Sequence, residues 1–275
     1  MNINLLTELE AQSLNALIDN AENIVIFSHR SPDGDAIGSS LGMAAYLKQR
    51  GKENVAVVVP DMFPNFLQWM PGADFILRYD KKKEEVKKTV SEADLMFCLD
   101  FNDASRTAEI EPFITESKAK KVLIDHHLDP NIDVEIKVSH PEACSTCELV
   151  FRIIWQLGGF DSMDKDVAVP IYCGMMTDTG GFTYNSNRPE IFFIISQLLT
   201  KGINKDKIYR NVFNNYSVWR LRLMGFVMYT KLNVFNEYHS SYFTLTRQDL
   251  KHFHFIKGDA EGLVNMPLQI KGMKL

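Results

Sequence analysis

The amino-acid sequence predicts an α/β fold: a parallel β-sheet with helices on both faces, then a helical connector and the start of a second, smaller α/β domain. Three observations lead to this prediction. Short apolar runs alternate with helix-like segments through the first two-thirds of the chain, and this alternation is typical of parallel sheets. Consecutive helix-like segments follow, and a new strand-like run begins near residue 237. The composition, with 45% hydrophobic and 24% charged residues, is that of a globular protein.

Four apolar runs are predicted to be buried strands, because each is short and is followed by polar residues. They are NIVIFS (23–28), NVAVVV (54–59), DLMFCLD (94–100) and KVLID (121–125). Helices are predicted between them at 36–50, where apolar residues fall on one face, and in the charged segment 81–93. The first 20 residues mix leucines with acids, which predicts an amphipathic helix and not a signal peptide.

The predicted organisation has three parts. Residues 1–186 form the sheet domain, 187–236 a helical connector, and 237–275 the start of an incomplete C-terminal substrate-binding domain. The connector is predicted from three consecutive helix-like segments, and the last part from a strand-like run followed by LTRQDL. No run approaches the roughly 18 consecutive apolar residues that a membrane span needs. We therefore expect a cytoplasmic protein with no membrane partner, whose four cysteines are free thiols.

Acidic residues and histidines follow the predicted strands. The first strand leads into HRSPDGD, the third ends at Asp100, and the fourth ends in an Asp-His-His triplet. A further aspartate follows the apolar stretch YCGMM and precedes a glycine pair. Because ligands bind outside the carboxyl ends of strands in open α/β sheets, all are predicted at strand ends along one edge. The set is His29, Asp33, Asp35, Asp100, Asp125, His126, His127 and Asp178.

Each member of this set has an ordinary explanation when taken alone, such as a turn residue or a helix cap. Together, four aspartates in one cleft would repel one another strongly unless cations neutralised them. Two divalent cations would balance four negative charges, so the pattern predicts a binuclear metal site. Carboxylates with imidazoles suit Mn²⁺ best, with Mg²⁺, Fe²⁺ or Zn²⁺ as alternatives. Two metal ions that clamp a phosphoryl group point to phosphoester hydrolysis.

The sequence resembles a known superfamily in four places. SHRSPDGDAIGS, the strand end at Asp100, the triplet at 125–127 and GMMTDTGGF are similar to the four motifs of the DHH phosphoesterase superfamily. This superfamily includes RecJ exonucleases, manganese inorganic pyrophosphatases and NrnA-like oligoribonuclease/3′-phosphoadenosine 5′-phosphate (PAP) phosphatases. The chain is most similar to the NrnA-like group, because LTRQDL and DAEGLVNMPLQIKG resemble the opening of that group's C-terminal domain.

The resemblance implies a role for each residue of the set. One metal would be bound by His29, Asp33 and Asp100, and a second by Asp35, Asp100, His126 and Asp178, with Asp100 bridging. His127 would face the substrate phosphate, and Asp125 would orient His126 from behind. Arg106 in NDASRT is a candidate phosphate contact, with a solvated helix residue as the equal alternative.

The resemblance also implies the activity, and the leading expectation is a metal-dependent hydrolase of short RNA oligonucleotides, PAP or both. The alternatives are an exopolyphosphatase- or pyrophosphatase-related enzyme, a cyclic-dinucleotide phosphodiesterase, and a degenerate nucleotide-binding sensor. A sensor would have lost metal ligands, whereas here every ligand position is filled. A net charge of −5 disfavours a long duplex nucleic acid as partner. A homodimer is the assembly considered for the chain.

Three further patterns have structural consequences. The superfamily's C-terminal domain continues to a glycine-rich GGGH segment that these 275 residues lack, so we expect either a piece of a longer protein or a different mode of substrate binding. CSTC (144–147) has no second CxxC partner, and buried thiols near a helix start are expected there. Gly34, Gly38 and Gly42 would let the helix at 36–50 pack closely on the sheet.

Overall fold

The computed structural model describes residues 3–274. Within this range the chain divides into two compact units, residues 3–63 with 67–212 and residues 64–66 with 213–274. All of the predicted site residues, from His29 to Asp178, belong to the larger unit. Nowhere between residues 3 and 274 does a helix have the length and apolar content that crossing a bilayer requires.

The larger unit is built on a six-stranded parallel sheet. Its strands are β1 (Asn23–Phe27), β2 (Asn54–Val59), β3 (Leu77–Arg78), β4 (Leu95–Leu99), β5 (Lys120–Asp125) and β6 (Ile136–Ser139). The four predicted strands are confirmed to within one residue at each end, and the strands pair in the order β3-β2-β1-β4-β5-β6. The two outer strands are absent from the prediction, because segments of two and four residues are too short for a periodic apolar signal.

Helices accompany the sheet along the chain. They are α1 (Glu8–Asn20), α2 (Gly34–Gln49), α3 (Lys83–Ser91), α4 (Glu111–Thr115), α5 (Thr146–Gln156), α6 (Lys165–Asp178), α7 (Pro189–Thr200) and α8 (Lys205–Phe213). From β1 the chain moves outward through β2 and β3, and from β4 it moves outward in the opposite direction. Right-handed crossovers in two opposite directions place helices on both faces of the sheet, as the sequence predicts.

The core of this unit sits on its central strands. All five residues of β4 are buried, as are four of the five in β1. One apolar cluster joins Phe27, Met96 and Leu123 to Val86 of α3. Continuous apolar strands of this kind are typical of a parallel sheet covered on both faces. The polar residues that follow β1 and β4 therefore extend from a dry and rigid framework.

Helices α2 and α6 pack closely together through glycines. A Cβ atom at Gly38 would lie 2.5 Å from the carbonyl oxygen of Pro170, and one at Gly34 would collide with the side chain of Thr177. The sequence analysis expected these glycines to face the sheet; the structure corrects this, since the atoms that crowd them belong to α6, apart from the sulfur of Cys147 in α5. The close approach brings the last turn of α6 beside the start of α2.

The smaller unit contains a helix, a hairpin and a second helix. They are α9 (Val218–Phe226), the antiparallel strands β7 (Asn233–Phe235) and β8 (Ser240–Tyr242), and α10 (Arg247–His252). Leu223 and Val227 pack with Phe253 and Leu263 in its core. The interval 187–236, expected to be one connector, is divided between the units, because α7 packs on the larger unit while α9 contributes to the core of the smaller one.

Replacing Gly38 by alanine should destabilise the larger unit. The added methyl would meet the backbone at Pro170, which no side-chain rotation can relieve, so we expect a loss of about 1–3 kcal/mol in the free energy of unfolding. The better helix propensity of alanine offsets at most about 1 kcal/mol of this loss. Gly225→Ala in α9 is the matched control, because nothing lies within 4 Å of its added Cβ atom. Urea denaturation measures the stability of both variants. A Gly38→Ala variant as stable as the parent would contradict the close packing of α2 against α6.

Candidate metal centre

The predicted residues come together where the strand order reverses. β1 and β4 are neighbours at the centre of the sheet, and the chain leaves them in opposite directions. His29 follows β1 and Asp100 follows β4, so both lie at the crevice that this topology opens beyond the carboxyl ends of the strands. β5, next to β4, ends at Asp125 and leads into His126 and His127. Three motifs that are far apart in the sequence therefore meet at one edge.

Asp178 reaches the same edge from a helix. The sequence analysis placed it at a strand end, but it is the last residue of α6. The apolar run before it is buried because α6 packs against α2, and a buried helix carries the same short-range signal as a buried strand. Its Oδ2 atom lies 3.6 Å from Nε2 of His126. The predicted convergence therefore holds, although the element that delivers Asp178 is a different one.

Asp100 lies between two groups of ligand atoms. The first triad is His29, Asp33 and Asp100, and the second triad is Asp35, His126 and Asp178; Asp100 also forms a third such group with His126 and His127. Oδ2 of Asp100 is 3.6 Å from Nε2 of His29, and its Oδ1 is 3.6 Å from Nε2 of His126. The His–Asp separations in and between the triads are 3.6–3.9 Å. Such separations exceed ordinary hydrogen bonds and fit neighbouring positions around a cation with bonds of roughly 2.1 Å.

The histidines of the two triads are each held by their other ring nitrogen. Nδ1 of His29 donates to the carbonyl oxygen of Arg30 at 2.8 Å, and Nδ1 of His126 faces the carbonyl oxygen of Ala143 at 3.4 Å. Because Nδ1 makes these contacts, Nε2 of each ring faces the carboxylates. Metal-binding histidines in proteins usually donate their second nitrogen to an acceptor of this kind.

Two helix N-termini hold the aspartates of HRSPDGD. Asp33 caps α2, where its Oδ1 accepts two backbone N–H groups of the first turn, each at 3.0 Å. The buried Asp35 accepts the backbone N–H groups of Thr146 at 2.6 Å and of Cys147 at 2.9 Å, in the first turn of α5. The positive end of a helix dipole favours negative charge at both places. These bonds position the carboxylates before any cation binds.

Thr146 is a site residue that the sequence analysis missed. Besides its backbone bond to Asp35, its hydroxyl donates to Oδ1 of Asp100 at 2.9 Å. The CSTC motif was considered only for its cysteines, which are buried free thiols as expected. The signal that could have revealed Thr146 is the start of a helix: Ser145 caps α5 and accepts from the N–H of Glu148. The backbone N–H groups at the start of a helix bind carboxylates, so a helix start is expected beside an acidic cluster.

The backbone at Asp100 is in the left-handed region, with φ of 66°. This conformation costs on the order of 1–2 kcal/mol for a residue with a side chain, and aspartate is among the residues that tolerate it best. It turns the chain sharply as β4 ends. Strain of this kind persists where the surrounding structure holds the residue in place, and it is concentrated at functional sites.

Burial and mutual repulsion leave the carboxylates other than Asp100 poorly stabilised by the protein alone. Burial raises the pKa of Asp35 well above its usual value, and the charges of Asp100 and Asp178 add to this shift. Burial also raises the pKa of Asp178 to about 7, although the nearby His126 opposes it. Burial by itself lowers the pKa of His29, but the carboxylates of Asp100 and Asp33 beside it raise the pKa to about 9. Negative charge predominates in the cluster, which holds four carboxylates, and its oxygen and imidazole donors fit a divalent metal ion.

The structure corrects the expected partner of Asp125, which bonds to His127 and not to His126. Oδ1 of the completely buried Asp125 lies 2.7 Å from Nδ1 of His127. Asp125 ends β5, and His127 lies in the bend that follows the strand. The bond raises the pKa of His127 although burial opposes this. With Nδ1 engaged, Nε2 is the nitrogen of His127 that remains for a ligand.

Arg106 lies near His127, in the short helical segment Ala104–Ile110. Its positive charge acts to lower the pKa of His127, which places the two groups within electrostatic reach. Its side chain is half-buried and carries no hydrogen bond or ion pair to another residue in the described range 3–274. A guanidinium in this position is available to an anion beside His127.

Comparison with known proteins identifies relatives of this chain. Residues 23–175 match the DHH family, N-terminal domain. The chain is 33% identical over 211 residues to the bifunctional oligoribonuclease and PAP phosphatase NrnA of Thermus thermophilus, covering 75% of this chain and 58% of that protein. It is 26% identical over 180 residues to the cyclic-di-AMP phosphodiesterase PdeA of Listeria monocytogenes, covering 63% of this chain and 27% of that protein. The chain thus spans only part of the length of these two relatives.

A solved structure agrees with the fold over nearly the whole chain. The crystal structure of an exopolyphosphatase-related protein from Bacteroides fragilis superposes with a TM-score of 0.93 at 50% sequence identity, covering 98% of this chain and 79% of that chain. The family match begins at β1 and ends three residues before Asp178, so it includes the strand ends and both histidines of the triads. Because the match covers more than half of the residues, this chain belongs to the DHH family.

Proposed function

We propose that this chain is a metal-dependent phosphoesterase that hydrolyses short RNA oligonucleotides, PAP or both by a two-metal mechanism. The observation that carries the proposal is the position of Asp100, whose two carboxylate oxygens face the histidines of different triads. One carboxylate shared by two cation sites suits a binuclear hydrolase. Membership of the DHH family supports the same reaction class. We place the enzyme in the cytoplasm, and the homodimer stays a prediction.

The two triads would hold two divalent cations, with Asp100 contributing to both sites. Each triad offers one imidazole together with carboxylates. Mixed donors of this kind suit Mn²⁺ better than Mg²⁺, which prefers oxygen ligands and keeps several waters. We therefore propose Mn²⁺ as the metal. When bound, the ions would supply positive charge for the phosphoryl oxygens and make a water molecule more acidic.

We assign His127 to the substrate phosphate and not to a metal. Asp125 engages its Nδ1 atom at 2.7 Å, which fixes the ring and favours its protonated form. His127 is also one third exposed, whereas Asp125 is completely buried behind it. His127 and the unpaired guanidinium of Arg106 would then present two positive groups to the phosphate oxygens, and His127 could donate a proton to the leaving oxygen.

The Thermus relative supports the proposed substrates. Its name describes an oligoribonuclease and PAP phosphatase, at 33% identity over three quarters of this chain. Both kinds of substrate are short and highly anionic. A site that obtains its positive charge from bound ions suits them, because the chain as a whole is acidic, with a net charge of −5, and offers no broad basic field.

Polyphosphate is the second candidate substrate. The observation in its favour is the relative of solved structure, an exopolyphosphatase-related protein at 50% identity over 98% of this chain. Cyclic dinucleotides are a third candidate, because the Listeria relative is a cyclic-di-AMP phosphodiesterase. A two-metal site grips the scissile phosphate in all of these compounds, so the assay must compare them directly.

A substrate panel tests the proposal. The metal-free chain is reconstituted with Mn²⁺ and offered an RNA dinucleotide, PAP, tripolyphosphate and cyclic di-AMP at equal concentrations. We expect kcat/KM for the dinucleotide or PAP to exceed that for the other two by at least about tenfold, or 1.4 kcal/mol in transition-state binding. Faster hydrolysis of tripolyphosphate would select the second candidate. A chain with two bound Mn²⁺ ions that cleaves none of the four would overturn the enzymatic proposal.

Replacing Asp100 by asparagine should abolish activity and weaken both metal sites together, because one substitution removes a negative ligand from each. We expect the wild-type chain to bind two Mn²⁺ ions and to gain about 2.7 kcal/mol of stability per site at a hundredfold excess over Kd, seen as a higher Tm. The Asp100→Asn variant should lose this increase. Asp74→Asn, at an exposed position of the same unit, is the control. Normal Mn²⁺ content in Asp100→Asn would contradict the shared-ligand assignment.

The variants His127→Ala and Asp125→Asn should keep two Mn²⁺ ions per chain while kcat/KM falls. For His127→Ala we expect a loss of about 10²–10⁴, the range for a positioned acid or phosphate contact. Asp125→Asn should show a smaller loss of the same kind, since it disturbs only the orientation and charge of His127. His140→Ala, which alters a histidine paired with Glu142 on the surface, is the control. Loss of one metal equivalent in His127→Ala would make His127 a metal ligand instead.

A further inference from the structure

We infer that Glu148 is a positioning residue for the second triad and that it acts through Arg188. The inference rests on the proposed two-metal function, but it concerns two residues that bind no metal themselves. Glu148 lies in the first turn of α5 and is completely buried. A buried carboxylate is costly unless charged partners surround it, and this one lies in the same helical turn that holds the acidic Asp35. Its contacts explain its presence.

The carboxylate of Glu148 joins three parts of the chain. Its Oε2 accepts the backbone N–H of Cys144 at 2.8 Å, just before α5 begins. Its Oε1 accepts from Nη1 of Arg152, one turn further along the same helix, at 3.1 Å. Nη2 of Arg188, the residue that precedes α7, lies 2.8 Å from Oε1 and 2.6 Å from Oε2. Two guanidinium groups therefore neutralise one buried carboxylate, and only Arg188 belongs to a different element.

On one side, this network fixes the helical turn that holds the metal-site carboxylates. The residues next to Glu148 in the same turn are Thr146 and Cys147, whose backbone N–H groups bind the two oxygens of Asp35. A shift of this turn by a few tenths of an ångström would lengthen both bonds to Asp35, because the two N–H groups belong to adjacent residues of one rigid helix. The bond from Glu148 to Cys144 holds the chain that enters the turn.

On the other side, the network fixes the segment that follows Asp178. Arg188 closes the loop 179–187, which connects α6 to α7. Within this loop Gly180, Gly181 and Phe182 have φ of 55°, 74° and 65°, an uncommon run of left-handed residues that includes an aromatic one. Such a loop keeps its shape where hydrogen bonds and the surrounding structure hold it, and its far end is held at Arg188. Asp178 lies at one end and the Glu148–Arg188 ion pair at the other.

The ion pair therefore ties the element that holds Asp35 to the segment that carries Asp178. Both aspartates belong to the second triad, whereas His29 and Asp33 of the first triad come from β1 and the start of α2. Loss of the pair should weaken Mn²⁺ binding at the second triad much more than at the first, which, among the described residues, the turn contacts only through the bond from the Thr146 hydroxyl to Asp100. This selectivity distinguishes positioning from a general contribution to stability.

The experiment measures two-site Mn²⁺ binding by calorimetry and by electron paramagnetic resonance, independently of any substrate. Glu148→Gln and Arg188→Gln each remove one side of the ion pair with little change in volume. Asp178→Ala and Asp33→Ala serve as references that damage the second and the first triad. We expect both glutamine variants to weaken Mn²⁺ binding at least tenfold at the site that Asp178→Ala also weakens. The Mn²⁺ affinity of the other site should stay within threefold of wild type. Arg188→Lys should restore part of the lost affinity.

Arg152→Gln is the matched control. It removes a partner of the same carboxylate, together with a bond from Nε to the carbonyl oxygen of Ile3, but it leaves the link to α7 intact. We expect this variant to keep both Mn²⁺ affinities within threefold even if its Tm falls. The double variant Glu148→Gln/Arg188→Gln should lose no more affinity than either single variant, because the two residues act as one pair.

Three results would overturn the inference. The first is wild-type Mn²⁺ affinity at both sites in the Arg188→Gln variant. Arg188 is partly exposed, so this substitution does not bury a new polar group. The second is equal weakening of both sites in step with a lower Tm, which would make the pair merely structural. The third is a wild-type chain that binds fewer than two Mn²⁺ ions, which overturns the proposed function as well. If wild type binds two ions and the variants match it, only the role of Glu148 fails.

Discussion

The shared carboxylate of Asp100 is the interaction on which the rest of the site depends. It is almost completely buried, it sits in a strained backbone conformation, and its two oxygens face histidines that arrive from different strands. Three further aspartates lie close to it, and like charges at such distances repel strongly in a partly buried cleft. Burial raises the pKa values of Asp35 and Asp178, and that repulsion adds to the shift. A protein that keeps such a cluster must supply either protons or cations, and the ordered imidazoles favour cations.

The fold supplies the means to hold these charges close together. Reversal of the strand order between β1 and β4 opens a crevice, and the start of α2 and the start of α5 direct backbone N–H groups at Asp33 and Asp35. Glycine contacts let α2 and α6 approach closely enough for the end of α6 to reach the same crevice. Behind this layer, the buried carboxylate of Glu148 with its two arginines connects α5 to the loop after Asp178. The charged groups thus form two layers, with the metal-site carboxylates in the inner layer and Glu148 with its two arginines in the outer layer. The outer layer orients the inner one.

The two adjacent histidines show how neighbours in sequence take different tasks. His126 turns its Nε2 atom to three carboxylates, whereas His127 bonds through Nδ1 to the buried Asp125. Their rings meet nearly edge to face, with centroids 4.8 Å apart. The two imidazoles therefore make different contacts, and the proposed function assigns His126 to a metal and His127 to the substrate. This division of tasks underlies the proposal that chemistry and metal binding can be separated by substitution.

The sequence by itself determined the sheet, its four central strands and the residues that meet at one edge, because apolar runs and the polar residues that end them are local features. Its resemblance to the DHH superfamily also selected the family that the comparisons identify. Only the tertiary structure decided which element delivers Asp178, which histidine pairs with Asp125, that Thr146 bonds to Asp100, and that Glu148 pairs with Arg188. The physical reason is that these facts depend on contacts between residues far apart in the chain. The hydroxyl of Thr146 reaches a carboxylate 46 positions away, and Arg188 reaches Glu148 across 40. Such contacts are set by how helices pack, which leaves no periodic signal in the residues themselves.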